Sequence, residues 1–201
     1  MAGVKRYDRT ELLDRAIELF RRQGYNGTST AELVDELGVN RKSMYAEFGS
    51  KQELFEAALD RYDEHHLSRV MGPVEAPGAG VQAIRDAFAG YATASDGWAQ
   101  GKGCLLCNTA AERGALEQGA RTRVAAYLER LTAAFAQALR NAQADGEVRG
   151  DADVDELAAY FTTALIGVAA CIRAEAPPAQ VKAACAVATS VLDTYAPQPV
   201  R

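Results

Sequence analysis

Apolar residues recur at helical spacing from the beginning of the chain. Four of them share one face of a first predicted helix: Leu13, Ala16, Ile17 and Phe20. Asp8 has approximate capping-box spacing to Glu11 and predicts the start of this helix, and Gly24 predicts its end. Three arginines are predicted to lie away from the apolar face: Arg15, Arg21 and Arg22.

Three more helix starts follow closely along the chain. Each is marked by a residue that can cap a helix: Ser29, Asn40 and Ser50. The two serines also have a glutamate three residues later, which is the spacing of a capping box. The second helix is predicted to end at Gly38, the third to bury Met44 and Phe48, and the fourth to continue through Tyr62.

The rest of the chain is also predicted to be helical. Five further stretches have helical character: 80–95, 102–114, 119–145, 153–174 and 178–195. A loop is expected around Gly72-Pro73 and over residues 77–80, because Gly and Pro interrupt helices. We therefore predict an all-α fold, with one domain over residues 1–51 and a second over residues 52–201, joined by the helix that begins near residue 52.

Charge is distributed unevenly between these two parts. The 201-residue chain has a net charge of −5. Residues 1–51 contain nine Lys/Arg and eight Asp/Glu, a net charge of +1, whereas the other 150 residues have a net charge of −6. The local potential governs contacts to phosphates, so the acidic total does not exclude a nucleic-acid partner for the first domain.

The sequence also bears on where the protein acts. The first residues lead into polar sequence without the apolar core of a signal peptide. The longest apolar stretch, Leu157 to Ile172, is shorter than a membrane span and is interpreted as a buried helix. We expect a cytoplasmic protein with no membrane partner, in which the four cysteines remain reduced.

Residues 30–48 have the order helix, tight turn, helix: TAELVDEL, GV and NRKSMYAEF. Gly38 permits the sharp turn, and Val39 fills the angle between the helices. In a helix-turn-helix the second helix enters the major groove of DNA. Four of its residues are therefore predicted to face base edges and phosphates: Arg41, Lys42, Ser43 and Tyr45.

Two more residues are predicted to contact phosphates. Thr28 lies near the start of the second helix and Lys51 at the start of the fourth. Free N–H groups and the helix dipole attract phosphate at such positions. Arg41 and Lys42 can donate to guanine edges or to phosphates, and the sequence leaves both roles open. The predicted partner is double-stranded DNA.

Three runs of residues resemble the tetracycline-repressor (TetR/AcrR) family: GYNGTST from residue 24, LGV from residue 37 and SMYAEFGSKQELF from residue 43. The resemblance covers about residues 8–62. It implies a three-helix DNA-binding head, a linking fourth helix and a divergent ligand-binding body whose last two long helices form a dimer. Transferred by position, it places DNA contacts on the six residues named above. Glu47 departs from the pattern, because many relatives have histidine or another neutral residue there.

Cys104 and Cys107 have CxxC spacing, and several interpretations stay open. They can be small apolar residues of the core. They can form a thiol switch, in which Lys102 and a helix N-terminus lower the pKa of Cys104 and its modification releases DNA. A thioredoxin-like enzyme would need a βαβ context, which the sequence lacks. A zinc site would need two further ligands, so no metal and no cofactor are predicted.

An effector pocket and a dimer interface are predicted in the second domain. Tyr91 and Trp98 are candidates to line the pocket together with the two cysteines. Residues 121–141 and 155–172 suit a dimer interface. The second stretch is apolar almost all round, which a surface helix of a monomer could not tolerate, so a homodimer is predicted. A two-fold dimer would bind a palindromic operator with half-sites about one helical turn apart or slightly more.

These patterns predict a DNA-binding transcriptional regulator, specifically a repressor released from its operator by a small-molecule or electrophile effector. No Ser-His-Asp set, phosphate loop or pair of acids in a plausible pocket indicates an enzyme. Three alternatives remain: an activator on the same fold, a thiol-based redox protein that uses Cys104 and Cys107, and an architectural or partner-binding helical protein.

Overall fold

A computed structural model describes residues 7–112 and 116–197. Over these ranges the chain forms ten α-helices and no strand, which confirms the all-α prediction. The helices are α1 Arg9–Gly27, α2 Thr30–Leu37, α3 Arg41–Phe48, α4 Lys51–Tyr62, α5 Ser68–Glu75, α6 Val81–Ala94, α7 Leu105–Ala111, α8 Gln118–Ala144, α9 Val154–Arg173 and α10 Pro178–Thr194. A π-helical turn, Asp63–Leu67, joins α4 to α5.

The predicted caps define the ends of the first helices. Ser29 and Glu32 form a complete capping box at α2, and the Asn40 side chain accepts a hydrogen bond from the Ser43 amide at α3. Ser50 caps α4 in the same way. At α1 the Asp8 carboxylate accepts from the Thr10 amide, so it is a simple cap and not the expected box. Each cap satisfies an amide that the helix itself leaves unpaired.

Gly24 marks a kink in α1 that the sequence predicted as its end. Its φ of 76° and ψ of 172° lie in a region that only glycine adopts easily. A short helical segment continues to Gly27, so the helix axis changes direction before α2 begins. Gly38 has the left-handed conformation, with φ 65°, expected for the tight turn between α2 and α3.

The prediction of a loop around Gly72-Pro73 is wrong, because both residues lie inside α5. Leu67, Met71 and Val74 recur at helical spacing and are all buried. Burial of these three side chains outweighs the hydrogen bond that proline removes. The break in the chain comes later, before α6 begins at Val81.

The second part of the chain is a bundle in which α8 packs on α9 and α6 packs on α10. Phe88, Phe135 and Phe161 meet at its centre, with ring centroids 5.9–6.4 Å apart. The helix predicted over 102–114 is shorter and covers Leu105–Ala111, while residues 113–114 lie outside the described ranges. Residues 95–104 instead form an irregular turn that returns to α1.

The apolar surface expected on residues 121–141 is mostly covered within the subunit. Tyr127, Leu131 and Phe135 of α8 are buried, because α9 packs along this helix. The exposed apolar surface lies between α9 and α10, where Tyr160 and Val187 are 39% and 67% exposed. By length and composition α9 could span a membrane, but it belongs to the core of this bundle on one side and to this groove on the other.

Candidate DNA interface and effector site

The α3 surface presents two cations to solvent. Arg41 and Lys42 occupy its first turn, are both exposed and have no ion-pair partner among the described residues. Met44 and Phe48 anchor the opposite face of α3 in the core. The buried pair therefore fixes the orientation in which the two cations face outward, as a recognition helix requires.

Tyr45 and Ser43 lie on the flank of this surface and are half-buried. The Arg41 guanidinium lies over the Tyr45 ring, 5.5 Å from its centroid. Hydrogen bonds from Thr30 and Arg41 hold the pKa of Tyr45 below its usual value. The Tyr45 hydroxyl thus sits beside the start of α2, where an approaching phosphate would also meet helix amides.

Thr28 does not have the environment expected for a phosphate contact. Its side chain is buried, and its hydroxyl donates a hydrogen bond of 2.6 Å to the Gly24 carbonyl. The hydroxyl proton is therefore donated to the kink at Gly24, near the end of α1. Thr28 stabilises the approach to α2 in this conformation instead of facing solvent.

Lys51 is also tied to the end of α1. Its ammonium donates a 2.6 Å hydrogen bond to the Tyr25 carbonyl and lies 4.2 Å from the centre of the Tyr25 ring. Burial lowers the pKa of Lys51. Since an ammonium has three donors, this bond leaves others for a phosphate.

An ion pair accounts for the glutamate at position 47, where the family pattern has histidine or another neutral residue. Its carboxylate lies 3.4 Å from the Arg9 guanidinium, and its side chain is only 6% exposed. Arg9 also lies over the Phe48 ring, at 5.2 Å. Glu47 therefore joins α3 to the first turn of α1 and does not offer its carboxylate to a base.

The four effector candidates in the second domain lie together. Tyr91, Trp98 and Cys104 line one narrow cavity of about 20 Å³, and the Cys107 thiol lies beside the Cys104 thiol. A cavity of this size holds about one water molecule. A larger molecule could reach the cysteines only if the cavity opened.

The two thiols differ in their electrostatics. The hydrogen bond from the Cys107 thiol, with smaller contributions from the backbone amides of Cys107 and Leu106, lowers the pKa of Cys104 to about 7 against the opposing effect of burial. The same hydrogen bond raises the pKa of Cys107. Cys104 is consequently the nucleophilic member of the pair, because the thiolate is the reactive form.

Three tyrosines surround the pair. Burial raises the pKa of Tyr62, Tyr91 and Tyr127, so all three stay protonated. The Tyr127 hydroxyl lies 4.0 Å from the Cys107 sulfur. Neutral phenols can donate to a thiolate or to an oxygen of a bound molecule without adding charge.

Arg21 connects this cluster to the head, and its predicted polar position is wrong. It is 1% exposed and donates hydrogen bonds of 3.2 and 2.7 Å from Nε and Nη2 to the Gly103 carbonyl, next to Cys104. Its guanidinium lies between the rings of Tyr62 and Trp98, at 5.6 and 5.0 Å. Arg21 follows Ile17 by four residues, so it continues the buried face of α1.

Glu112 makes a second connection at the far end of α7. Its carboxylate accepts hydrogen bonds from the amides of Tyr25 and Asn26, at 3.3 and 3.0 Å. A side chain on Gly24 would displace this carboxylate from its two amide donors, and the positive φ of Gly24 already favours glycine there. The short helix that starts after Cys104 therefore contacts α1 on both sides of its kink.

Within the ranges that the structure describes, no group of three or more potential ligands is arranged to hold a metal ion. The CxxC pair also lies at the start of a helix in a part of the chain without strands. The strand-rich setting of thioredoxin-like enzymes is therefore not found around it.

A capped helix-turn-helix head fused to a helical bundle defines a class of DNA-binding transcriptional regulators. Two family models match the chain: "Bacterial regulatory proteins, tetR family" over residues 12–58, and "Tetracyclin repressor-like, C-terminal domain" over residues 80–188. This chain belongs to the TetR family of transcriptional regulators.

Similar proteins cover almost the whole chain. The HTH-type transcriptional regulator YezE of Bacillus subtilis is 34% identical over 198 residues, 96% of this chain and all of YezE. The HTH-type transcriptional repressor ComR of Escherichia coli is 30% identical over 84% of this chain and 81% of its own length. The solved structure of CifR, a TetR-family regulator complexed as a cysteine mutant with 26-bp operator DNA, has a TM-score of 0.81 and 25% identity, covering 93% of this chain and 98% of CifR.

Proposed function

We propose that this protein is a homodimeric transcriptional repressor that leaves its operator when an effector acts on its C-terminal domain. The head is assigned to residues 1–51 and the effector and dimerisation domain to residues 52–201. The protein would act in the cytoplasm. The observation that carries the regulatory part is the pair of contacts from α1 to both ends of α7, next to the Cys104 cavity.

The exposed face of α3 supports the operator contact. Arg41 and Lys42 point to solvent from a helix whose other face is buried, and Ser43 and Tyr45 flank them. Lys51 adds a cation at the start of α4. Operator binding by CifR and the repressor name of ComR favour the same role here.

The groove between α9 and α10 supports the dimer. Tyr160, Gly167, Cys171 and Val187 are among the residues that line it, and its volume is about 320 Å³. Exposed apolar side chains clustered along one groove are a surface that a second copy of the chain can bury. A two-fold copy of the same groove would cover both sets of residues.

Val187→Glu is expected to convert the dimer into monomers, because it would bury a carboxylate in the apolar interface. Sedimentation velocity measures the change. Lys182→Glu, on an exposed turn of the same helix, is the matched control and should leave the dimer intact. A Val187→Glu protein that remains dimeric would place the interface elsewhere.

Modification of Cys104 is the proposed trigger. An added group would not fit the narrow cavity, and a disulfide would draw the sulfurs of Cys104 and Cys107 from non-bonded contact to about 2 Å. In either case the segment from Gly103 to α7 would have to move. Gly103 accepts from Arg21 of α1, so this movement would change the position of the head. The modification regulates transcription only if the conformation that it favours binds the operator with a different affinity from the unmodified conformation.

The proposal is tested by fluorescence anisotropy with the DNA upstream of this protein's own gene. Reduced protein is expected to bind tightly. Diamide takes two electrons and two protons from the Cys104 and Cys107 thiols, forming their disulfide, and should abolish binding. The Cys104→Ser protein should bind whether or not diamide is present. Equal loss of binding by wild type and Cys104→Ser would remove Cys104 from the mechanism, and no binding to this or neighbouring promoters would refute the repressor.

Iodoacetamide can reach Cys104 only when the cavity opens, so its alkylation should be slow. The alkylation rate is expected to rise with pH around a midpoint of about 7, because only the thiolate reacts. Burial raises the pKa of Cys185 to about 11, so its alkylation should begin only at higher pH in the same sample. Cys107→Ala should move the Cys104 midpoint upward, since it removes the main stabilising hydrogen bond. Peptide mass spectrometry measures both cysteines, and equal midpoints would contradict the assignment.

A further inference from the structure

An open cleft lies at the junction of the head and the body, directly outside the Cys104 cavity. Its volume is about 750 Å³, and α1, α5, α6 and the 95–104 turn form its walls. Cleft and cavity share four residues: Val70, Gly90, Ala94 and Trp98. A cleft of this volume accommodates a small organic molecule, which the cavity beneath it does not.

The cleft carries a net positive charge on an acidic protein. Its walls contain three cations, Arg21, Arg69 and Lys102, and one carboxylate, Glu18. Glu18 is already paired with Lys102 at 2.6 Å and with Arg21 at 3.0 Å. Arg69 is exposed and has no ion-pair partner among the described residues. The local potential therefore favours an anion.

The remaining walls are apolar and include an exposed aromatic face. Trp98 is 53% exposed, although one side of its ring contacts Arg21. Gly90 leaves open space where a side chain would project, so the wall of α6 is flat at this point. A planar ring can stack on the free face of tryptophan and gain more than its area of burial alone provides.

We infer that this cleft binds a small aromatic carboxylate, whose ring stacks on Trp98 and whose carboxylate pairs with Arg69 and Lys102. Arginine binds carboxylates through two parallel hydrogen bonds, which suits it as the anchor. The inference rests on the proposed function, because it names the chemical class of the effector.

Such a ligand would contact the head directly, since Glu18 and Arg21 belong to α1. Its carboxylate competes with Glu18 for Lys102 and so weakens the tie between α1 and the 95–104 turn. The ligand consequently binds better to conformations in which α1 has moved away from this turn. Operator affinity falls as these conformations become populated.

The test uses the full-length reduced protein and the fluorescence of Trp98, the only tryptophan of the chain. The probes are 4-nitrobenzoate and its neutral analogue 4-nitrobenzamide, with N-acetyltryptophanamide correcting for absorption by the probe. The carboxylate is expected to quench Trp98 saturably and to bind at least about tenfold more tightly than the amide. Arg69→Gln should remove this preference, and Gly90→Leu should prevent binding of both probes.

Two control variants separate the site from general effects. Arg140→Gln removes an exposed arginine of α8 outside the cleft, and Gly72→Leu adds the same bulk to another helical glycine with open space around it. Both should bind the probes as wild type does. Circular dichroism shows whether each variant is folded, and Arg69→Gln is expected to fold normally because Arg69 is exposed.

Operator anisotropy on the same samples separates the two proposals. Absence of operator binding would refute the proposed repressor regardless of the probes. If the protein binds its operator but both probes quench Trp98 equally, only the aromatic-carboxylate site is overturned. The same holds if a folded Arg69→Gln protein still prefers the carboxylate probe to the amide. Charge-selective quenching with no fall in operator affinity at saturation would overturn its effector role.

Discussion

Replacing Arg41 and Lys42 together by alanine is expected to lower operator affinity about 100-fold or more. A bidentate contact to a base edge contributes roughly 1–3 kcal/mol, and the loss of a phosphate contact weakens binding to every sequence. Both side chains are exposed on α3 and make no ion pair among the described residues, so their removal leaves the head folded. Anisotropy measures the affinity. If both cations contact phosphates, the dependence of affinity on salt should also become shallower, by about two released counterions.

The salt dependence distinguishes the two roles that the sequence left open. Loss of affinity with an unchanged salt slope would assign Arg41 and Lys42 to base edges, with discrimination between operator variants reduced. Arg140→Ala is the control for a general change in charge, since Arg140 is exposed on α8 and pairs with Asp155. A double variant that binds as tightly as this control would exclude α3 as the recognition helix.

Arg21→Ala is expected to lower the free energy of unfolding by about 3 kcal/mol, because it leaves a buried carbonyl unpaired and removes a buried cation from its partners. The Gly103 carbonyl would lose two hydrogen bonds, and the rings of Tyr62 and Trp98 would lose the guanidinium between them. Urea denaturation measures the loss. Modification of Cys104 should also have less effect on operator affinity in this variant, since its connection to α1 is broken.

The neighbouring arginine is a matched control. Arg22 is 43% exposed and pairs with Glu36 on the surface. Arg22→Ala should cost at most about 1 kcal/mol, because exposed ion pairs contribute little. Equal destabilisation by the two substitutions would mean that the buried network around Arg21 does not stabilise the junction of the head and the body.

The sequence by itself determined the helix-turn-helix. Its signals are local: caps at Ser29, Asn40 and Ser50, and a glycine that can adopt a positive φ at Gly38. Each cap joins residues about three positions apart, so both partners of the interaction can be recognised in the sequence. Periodicity likewise identified the all-α class and the exposed position of Arg41.

Burial and the partners of polar side chains were decided by contacts between distant segments. Arg21 binds Gly103, 82 residues away, and Glu112 binds Asn26, 86 residues away. These contacts explain why an arginine is buried. They also place Glu112 against Gly24.

Long-range contacts also decided the environment of Thr28 and the extent of α5, and local sequence patterns do not contain them. The sequence pattern shows that Thr28 precedes a helix, but it does not show that the Thr28 hydroxyl faces the kink at Gly24. It also shows that Pro73 disfavours a helix, but not that Met71 and Val74 are buried and so stabilise α5. Caps and turns depend on neighbours along the chain and could be predicted from sequence. The head–body junction, the cavity at Cys104 and the cleft outside it depend on the packing of α1, α6 and α7, which only the tertiary structure determines.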